Sequence, residues 1–497
     1  MLFNSLRFLV FFPLICLGYY VIPYKFRHIF LLIASYYFYM CWNPKYALLM
    51  FTSTLVTYLS GLLIDRANRI QSEKKKITYK KMYLAGSLVI NLGILFFFKY
   101  SNFFLDSLSR LLACAHITMP DVRFDIILPV GISFYTFQAI SYSIDVYRGD
   151  IYTEKNFLKY ALFVSFFPQL VAGPIERSKN LLKQINVKHP FDAHRVHTGL
   201  IQMLWGMFQK VLISDNIAMI VSNVYDNYEK YGSVELIFAT ILFAFQIYCD
   251  FGGYSNIAIG AARVMGFDLM ENFNAPYLAN TVADFWRRWH ISLSTWFRDY
   301  LYIPLGGNRK GKLRKYSNIM IVFFVSGLWH GASWHYVVWG MLNGIYQIIG
   351  DLLMPIRNKF VKIFNVNRTA FSHRLLKIMT TFILVDISWV FFRADSFSQA
   401  FEILHKMVTK INLNPMLDGS LLELGIARPQ CIAVMMMMAV LIFADLCKYF
   451  KIDLKEKLCT QGIWFQYLVY FFLIFSILIL GSYGPQFDES QFIYFQF

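Results

Sequence analysis

Residues 463–480 read IWFQYLVYFFLIFSILIL, eighteen residues in a row with no formal charge. At 1.5 Å per residue such a helix is about 27 Å long, close to the thickness of a bilayer's hydrocarbon core. The rest of the chain repeats the pattern. Comparable apolar runs lie near residues 5–24, 29–42, 46–64, 82–98, 126–144, 197–221, 236–262, 316–350 (a hairpin), 376–392 and 429–444. They predict an all-α polytopic membrane protein with about 11 to 13 membrane segments, some of them re-entrant. Composition agrees. The 497 residues are 57% hydrophobic, 19% aromatic and only 15% charged, where a soluble domain carries about 25% charge.

The first apolar run has no small-residue cleavage site and is followed at once by another, so it reads as a retained helix. Seven cysteines form no CxxC pair, which gives neither a disulfide framework nor a zinc site, and no metal is expected. The net charge of +17 is concentrated in short loops at 65–81, 176–195, 306–315, 357–374 and 448–457. That distribution is the positive-inside signature, so no nucleic-acid partner is expected. The five loops share the cytoplasmic side if Tyr160–Pro174 re-enters; the amino terminus then starts outside and the tail, 482–497, ends outside.

Within this frame four stretches could carry chemistry. GLWHGASWHYVVWG, Gly327–Gly340, reads as membrane-embedded helix with a histidine at its centre. Ionisable groups at membrane depth are costly and face a protein interior or cavity. A neutral imidazole at position 330 can take a proton from a hydroxyl and return one to a leaving group; it can equally be a core histidine bonded to a helix carbonyl. His335, about 140° further round the helix, reads as structural.

The second stretch is TVADFWRRWHISLSTWFRDYLYIPLGGNRKG, residues 281–311. Thr281 and Asp284 have capping-box spacing. Phe285, Trp286, Trp289, Leu293, Trp296 and Tyr300 recur on one face of a helix, with Arg287, Arg288 and Arg298 opposite. The pattern fits either an interfacial anchor on the cytoplasmic side or a cationic entrance for a phosphate-bearing acyl donor, with His290 inside it. In the third, QIYCDFGGYSNIAIG (246–260), Asp250 lies in an otherwise uncharged segment beside two glycines, where it either orients a histidine or bonds a backbone break. In the fourth, FFPQLVAGPIERS (166–178), two prolines and Gly173 break a helix, as a re-entrant segment lining a pocket would require. His189, His194 and His197 read as solvated, and Met435–Met438 as lipid-facing or gap-filling. No P-loop, HExxH or GxSxG is present.

WRRWHISLSTWFRDYLYIPLGG, followed about 40 residues after its histidine by GLWHGASW, resembles the membrane-bound O-acyltransferase (MBOAT) family. PQLVAGPIERS, IYCDFGGYSNIAIG, SWVFFRADS and the terminal FIYFQF extend the likeness over almost the whole chain. They place it with the bacterial branch that includes alginate O-acetyltransferase; the membrane protein of teichoic-acid D-alanyl transfer is similar at greater distance. The resemblance implies one membrane domain over 1–497, a ring of helices around a central tunnel. It puts the family's catalytic histidine on His330 and a second histidine on His290, with Asp250, Trp329 and Asn343 in support and Arg287, Arg288, Arg298 and Arg309 toward the donor. Where the family often has Ser and then Asp in the CDF motif, this chain has Gly252 and Asn256. It also implies that Tyr494 of the fused tail can accept the acyl group, although the tail fits an aromatic belt as well.

The expected activity is transfer of an acyl group, chiefly acetyl, from acetyl-CoA or an acylated carrier protein, with no bound cofactor. The partners would be a secreted SGNH-type transferase, an envelope or exported polysaccharide such as alginate, and membrane lipid, in a bacterial inner membrane. A transporter or flippase with His330 in a proton relay, or a scaffold tolerant of losing His330, fits the composition as well.

Overall fold

Every regular element is helical because a chain in hydrocarbon must satisfy its own backbone polar groups within each segment. The computed structural model describes residues 1–120, 123–171, 173–483 and 493, and no strand occurs among them. Their contacts cluster into two compact units.

The first unit comprises residues 1–200 and 257–270. It holds α1 (Leu6–Val21), α2 (Tyr24–Met40), α3 (Pro44–Ala67), α4 (Glu73–Leu95), α5 (Ser101–Cys114), α6 (Ile132–Arg148), α7 (Phe157–Ser165), α8 (Phe167–Leu170) and α9 (Ser178–Ile185). Small polar side chains join its helices, as expected where lipid leaves little hydrophobic drive for association. Ser53 Oγ donates to Asn91 Oδ1 at 2.5 Å, and Tyr160 Oη donates to Thr57 Oγ1 at 2.7 Å. The expected helix break is present: α7 stops at Ser165 and α8 restarts after Phe166. Exposed backbone at the break is satisfied internally. Gln138 and Gln169 both donate to Phe163 O, at 2.5 and 2.8 Å, and Phe167 N donates to Ser35 Oγ at 3.1 Å.

The second unit comprises residues 201–256 and 271–497. Its helices are the second half of α10 (Ala193–Met207) and the greater part of α12 (Ser233–Val264), whose remaining residues belong to the first unit, with α11 (Asp215–Asp226), α13 (Val282–Arg288), α14 (Ile291–Phe297), α15 (Gly311–His330), α16 (Trp334–Leu352), α17 (Met354–Ile363), α18 (Phe371–Arg393), α19 (Phe397–Thr409), α20 (Asn414–Leu417), α21 (Arg428–Tyr449), α22 (Leu454–Cys459) and α23 (Ile463–Leu480). Between α10 and α11 the chain winds as a π-helix, Phe208–Ser214.

Among the described residues six helices are long and apolar enough to cross a bilayer, seven if the bent pair α16–α17 is one span. The count of 11 to 13 runs is larger because it admits shorter segments such as α1 and α6, at 16 and 17 residues. The opening stretch, 463–480, is one of the six, and only 6% of it is buried inside the protein. None of the seven cysteines is disulfide-bonded.

Three sequence expectations need correction. His330 does not sit inside a continuous helix: it ends α15, and Gly331–Ser333 turn the chain into α16. The 281–311 segment is not one interfacial helix but two short ones broken at Trp289–His290. Its aromatic face is buried in protein rather than lipid: Phe285, Trp286, Trp289, Leu293 and Trp296 are all at most 8% exposed. His189 is not solvated; it is buried, and its Nε2 lies 2.8 Å from Gln184 O. The four methionines divide, Met435 and Met436 exposed, Met437 and Met438 in the core.

The α15–α16 hairpin is closed by glycine. A Cβ at Gly340 would lie 2.3 Å from Phe323 O, and one at Gly327 would lie 2.4 Å from Tyr336 O. Only glycine permits this approach. Gly340→Ala is expected to cost about 1–3 kcal/mol by forcing the helices apart, whereas Gly86→Ala, with nothing within 4 Å of the added methyl, is neutral or stabilising. Unfolding midpoints in detergent for the two variants, compared with the parent, check this.

Candidate active site

The loop between α13 and α14 is built by Asn272. Its carbonyl accepts from Ile291 N at 2.9 Å, and one residue pair along, Asn274 N donates to Arg288 O at 2.9 Å. The Asn272 side chain donates to Ser255 Oγ at 2.9 Å and accepts from Ser292 Oγ at 2.6 Å. Between these fixed points His290 adopts φ 43°, ψ 54°. A left-handed backbone costs a non-glycine residue about 1–2 kcal/mol, which the surrounding bonds offset. Such strain held at one residue is a common mark of a functional position.

The loop brings His290 to His330. Both are at most 2% exposed and their ring centroids are 6.3 Å apart. Aromatic rings enclose them: Trp329 lies 5.7 Å from His290 and 4.9 Å from His330, and Trp339 and Phe392 lie 4.9 and 5.5 Å from His330. Phe251 stands against His290 at 4.6 Å. Asn343 braces this shell. Its Oδ1 accepts from Trp286 Nε1 at 3.2 Å, and its Nδ2 donates to Trp339 O at 2.9 Å and Ser388 Oγ at 3.3 Å. His335 has the structural role expected of it, with Nδ1 3.0 Å from Phe391 O.

Asp250 precedes Phe251 on α12 and belongs to a buried ion cluster. Lys210 Nζ lies 2.6 Å from Asp250 Oδ1 and 2.7 Å from Asp215 Oδ1, all three side chains at most 2% exposed. The π-helical winding and the glycine of α12 bring the lysine in: a Cβ at Gly253 would lie 2.7 Å from Gly206 O. The other carboxylate oxygen of Asp250 accepts from Ile493 N at 2.8 Å, and Ile493 is buried. The chain leaving α23 is held beside the same π-helix, where Ser482 N donates to Val211 O at 3.1 Å and Asn216 Nδ2 to Leu480 O at 2.8 Å. Ile493 therefore packs inside the unit rather than in a surface belt. Tyr494 lies outside the described residues.

The arginines are not gathered at the histidines. Arg287 and Arg309 are exposed. Arg298 pairs with its neighbour Asp299 at 2.8 Å, and Arg288 pairs with Asp284 at 3.2 Å under the ring of Tyr449. Thr281 caps α13 as its spacing predicts, accepting from Asp284 N at 3.0 Å. Among the described residues no group of His, Cys, Asp and Glu could hold a metal ion.

Lys210, Asp215 and Asn272 escaped the sequence reading. The first two had a legible signal, opposite charges five residues apart in the apolar run 197–221. Asn272 had none, because a buried asparagine that shapes a distant loop looks like any polar residue in a turn.

A profile of the membrane-bound O-acyltransferase family matches residues 151–384, a span that contains both histidines. The chain is 39% identical over 415 residues to the "Probable alginate O-acetylase AlgI" of Pseudomonas aeruginosa, covering 82% of this chain and 75% of that protein. It belongs to the membrane-bound O-acyltransferase family. The peptidoglycan O-acetyltransferase of Helicobacter pylori is 34% identical over 440 residues, covering 82% of this chain and 80% of its own. The teichoic acid D-alanyltransferase of Bacillus subtilis is 28% identical over 284 residues, or 54% and 69% of the two chains. The chain is thus a membrane O-acyltransferase of the alginate O-acetylase-like branch, and a multi-pass membrane protein.

Removing the charge of Lys210 leaves two buried carboxylates facing each other. Lys210→Met is expected to cost about 3–5 kcal/mol. The neutral triple variant Lys210→Met, Asp215→Asn, Asp250→Asn recovers much of that loss, because no unpaired charge remains. Equilibrium unfolding of both variants beside the parent is the measurement.

Proposed function

We propose that the protein moves an acyl group, acetyl in the first instance, from a cytoplasmic thioester onto a hydroxyl presented from the outer side, for O-acetylation of an envelope or exported polysaccharide. The observation that carries this reading is the buried His290–His330 pair inside its aromatic enclosure. In the reaction the hydroxyl oxygen attacks the thioester carbonyl carbon while the His330 imidazole takes the hydroxyl proton. The tetrahedral intermediate collapses with rupture of the C–S bond, and the imidazolium returns the proton to the departing thiolate. His290 is placed to orient the thioester carbonyl or stabilise its developing charge. Tryptophan and phenylalanine rings around both histidines keep out the water that would hydrolyse thioester and ester alike.

The donor is acetyl-CoA or an acylated carrier protein, with Arg287, Arg298 and Arg309 offering exposed cations to its phosphates and Arg288 half-buried behind them. In this reading the acceptor is Tyr494, since Asp250 holds the amide of the preceding residue, and a secreted SGNH-type transferase carries the group onward to the polysaccharide. Such a protein acts in the bacterial inner membrane with its tail outside.

The test uses the full chain in vesicles with radiolabelled acetyl-CoA on the cytoplasmic face. Label is expected on the wild-type chain and absent from His330→Ala and Tyr494→Phe. Label surviving in Tyr494→Phe moves the acceptor elsewhere. Glycan acetylation that survives in cells carrying His330→Ala overturns the catalytic assignment.

A further inference from the structure

The first unit contains a half-enclosed cavity of about 320 Å³ at the turn between α1 and α2, lined with cationic and apolar groups and, among the described residues, by no carboxylate. Arg27 is its most rigid part. Its Nε, Nη1 and Nη2 donate to the carbonyls of Ile22, His189 and Tyr20, at 3.1, 2.9 and 3.2 Å, and its guanidinium lies 4.8 Å from the ring centroid of Tyr19. Carbonyls fix the position of the group but leave its charge uncompensated. Lys159 is similar: its Nζ donates to the neutral Asn186 Oδ1 at 2.5 Å. Lys25 completes the cationic side, and the imidazoles of His28 and His189 line the cavity as well. Glu154 is turned to amides instead, accepting from Asn186 Nδ2 and Asn156 N at 3.0 and 2.9 Å. Four cations elsewhere, Lys210, Arg288, Lys315 and Lys448, each have a carboxylate within 4 Å. This cavity instead gathers three cations, Lys25, Arg27 and Lys159, and two histidines, His28 and His189.

The floor is apolar, formed by the buried Leu31, Leu162 and Phe267. Phe26 and Phe191 are exposed nearby in sequence, at 57% and 65%, and the 176–195 loop that contributes His189 is one the positive-inside rule assigns to the cytoplasm. A ligand must therefore bring negative charge to the mouth and an apolar stem to the floor, at the depth of lipid headgroups. We propose that this cavity binds the phosphodiester of one anionic phospholipid, with the phosphate held by Lys25, Arg27 and Lys159 and the lipid body against Leu31 and Leu162. A phosphorylated nucleotide such as CoA presents similar charge, so the experiment separates the two sources. The site lies in the unit that does not contain the histidine pair, and the proposal stands or falls independently of the acyl-transfer mechanism.

The full-length protein is placed in nanodiscs of phosphatidylcholine alone or mixed with phosphatidylglycerol, then examined by native mass spectrometry and thermal unfolding. Wild type is expected to retain one phosphatidylglycerol in preference to phosphatidylcholine and to unfold at a higher temperature in the mixed discs. Each lysine near a lipid phosphate contributes about 1 kcal/mol, so Lys25→Gln, Lys159→Gln together should weaken retention about thirtyfold. The control Lys74→Gln, Lys75→Gln, in a different basic loop, should leave it unchanged. If the pocket variant melts below wild type in pure phosphatidylcholine, the milder Lys25→Gln alone, with about a fivefold loss, replaces it. Equal retention by wild type and pocket variants, or no preference for phosphatidylglycerol, overturns the proposal. A stabilisation of wild type by CoA in phosphatidylcholine discs that the pocket variant lacks overturns the lipid assignment in favour of a soluble phosphate.

Discussion

Burying an ammonium group costs several kcal/mol unless opposite charge is built around it. In the second unit that requirement falls on Lys210, and it is met by two carboxylates from different elements, Asp215 on α11 and Asp250 on α12. Much of the local architecture serves this meeting. The π-helical stretch Phe208–Ser214 widens the turn on which Lys210 stands, and Gly253 lets the two backbones close. The cluster sets two carboxyl groups against one ammonium, and the other oxygen of Asp250 takes the backbone amide of Ile493. One ion cluster thereby fixes the pairing of two helices and the arrival point of a segment remote in sequence.

The histidine pair is set by a second constraint that works through backbone rather than charge. Asn274 holds the residue run before His290 and Asn272 the run after it, while glycines close the hairpin at whose bend His330 stands. Each histidine is thus delivered by a break in helix. Helical continuity would have turned either ring toward a neighbouring helix turn, whereas the breaks leave both in one aromatic enclosure.

How much of this can be read from the chain alone follows from the range of each interaction. Spans, the hairpin and the helix break at Phe166–Pro168 are written in local composition, since apolar runs, proline and glycine act on their own neighbours. The two histidines stand out because histidine is costly in apolar surroundings, and the blocks around them carry the family likeness. What local patterning misleads about is the 281–300 segment, whose three- and four-residue periodicity reads as one amphipathic helix. A single left-handed residue interrupts it, held by an asparagine eighteen positions upstream, and no periodicity records that. Lys210 and Asp215 were visible as charges but not as partners of Asp250, since their meeting depends on a helix forty residues away.

The conformation of His290 also bears on how the protein assembles. A backbone at φ 43° holds only while Asn272, Ser255 and Ser292 are all in place around it, and these groups come from three separate segments. A partly folded chain whose α12 has not yet docked lacks that support, so the ring at 290 has no fixed direction. The enclosed arrangement of the two histidines therefore exists only where α12, the turn carrying Asn272 and α14 have all docked together.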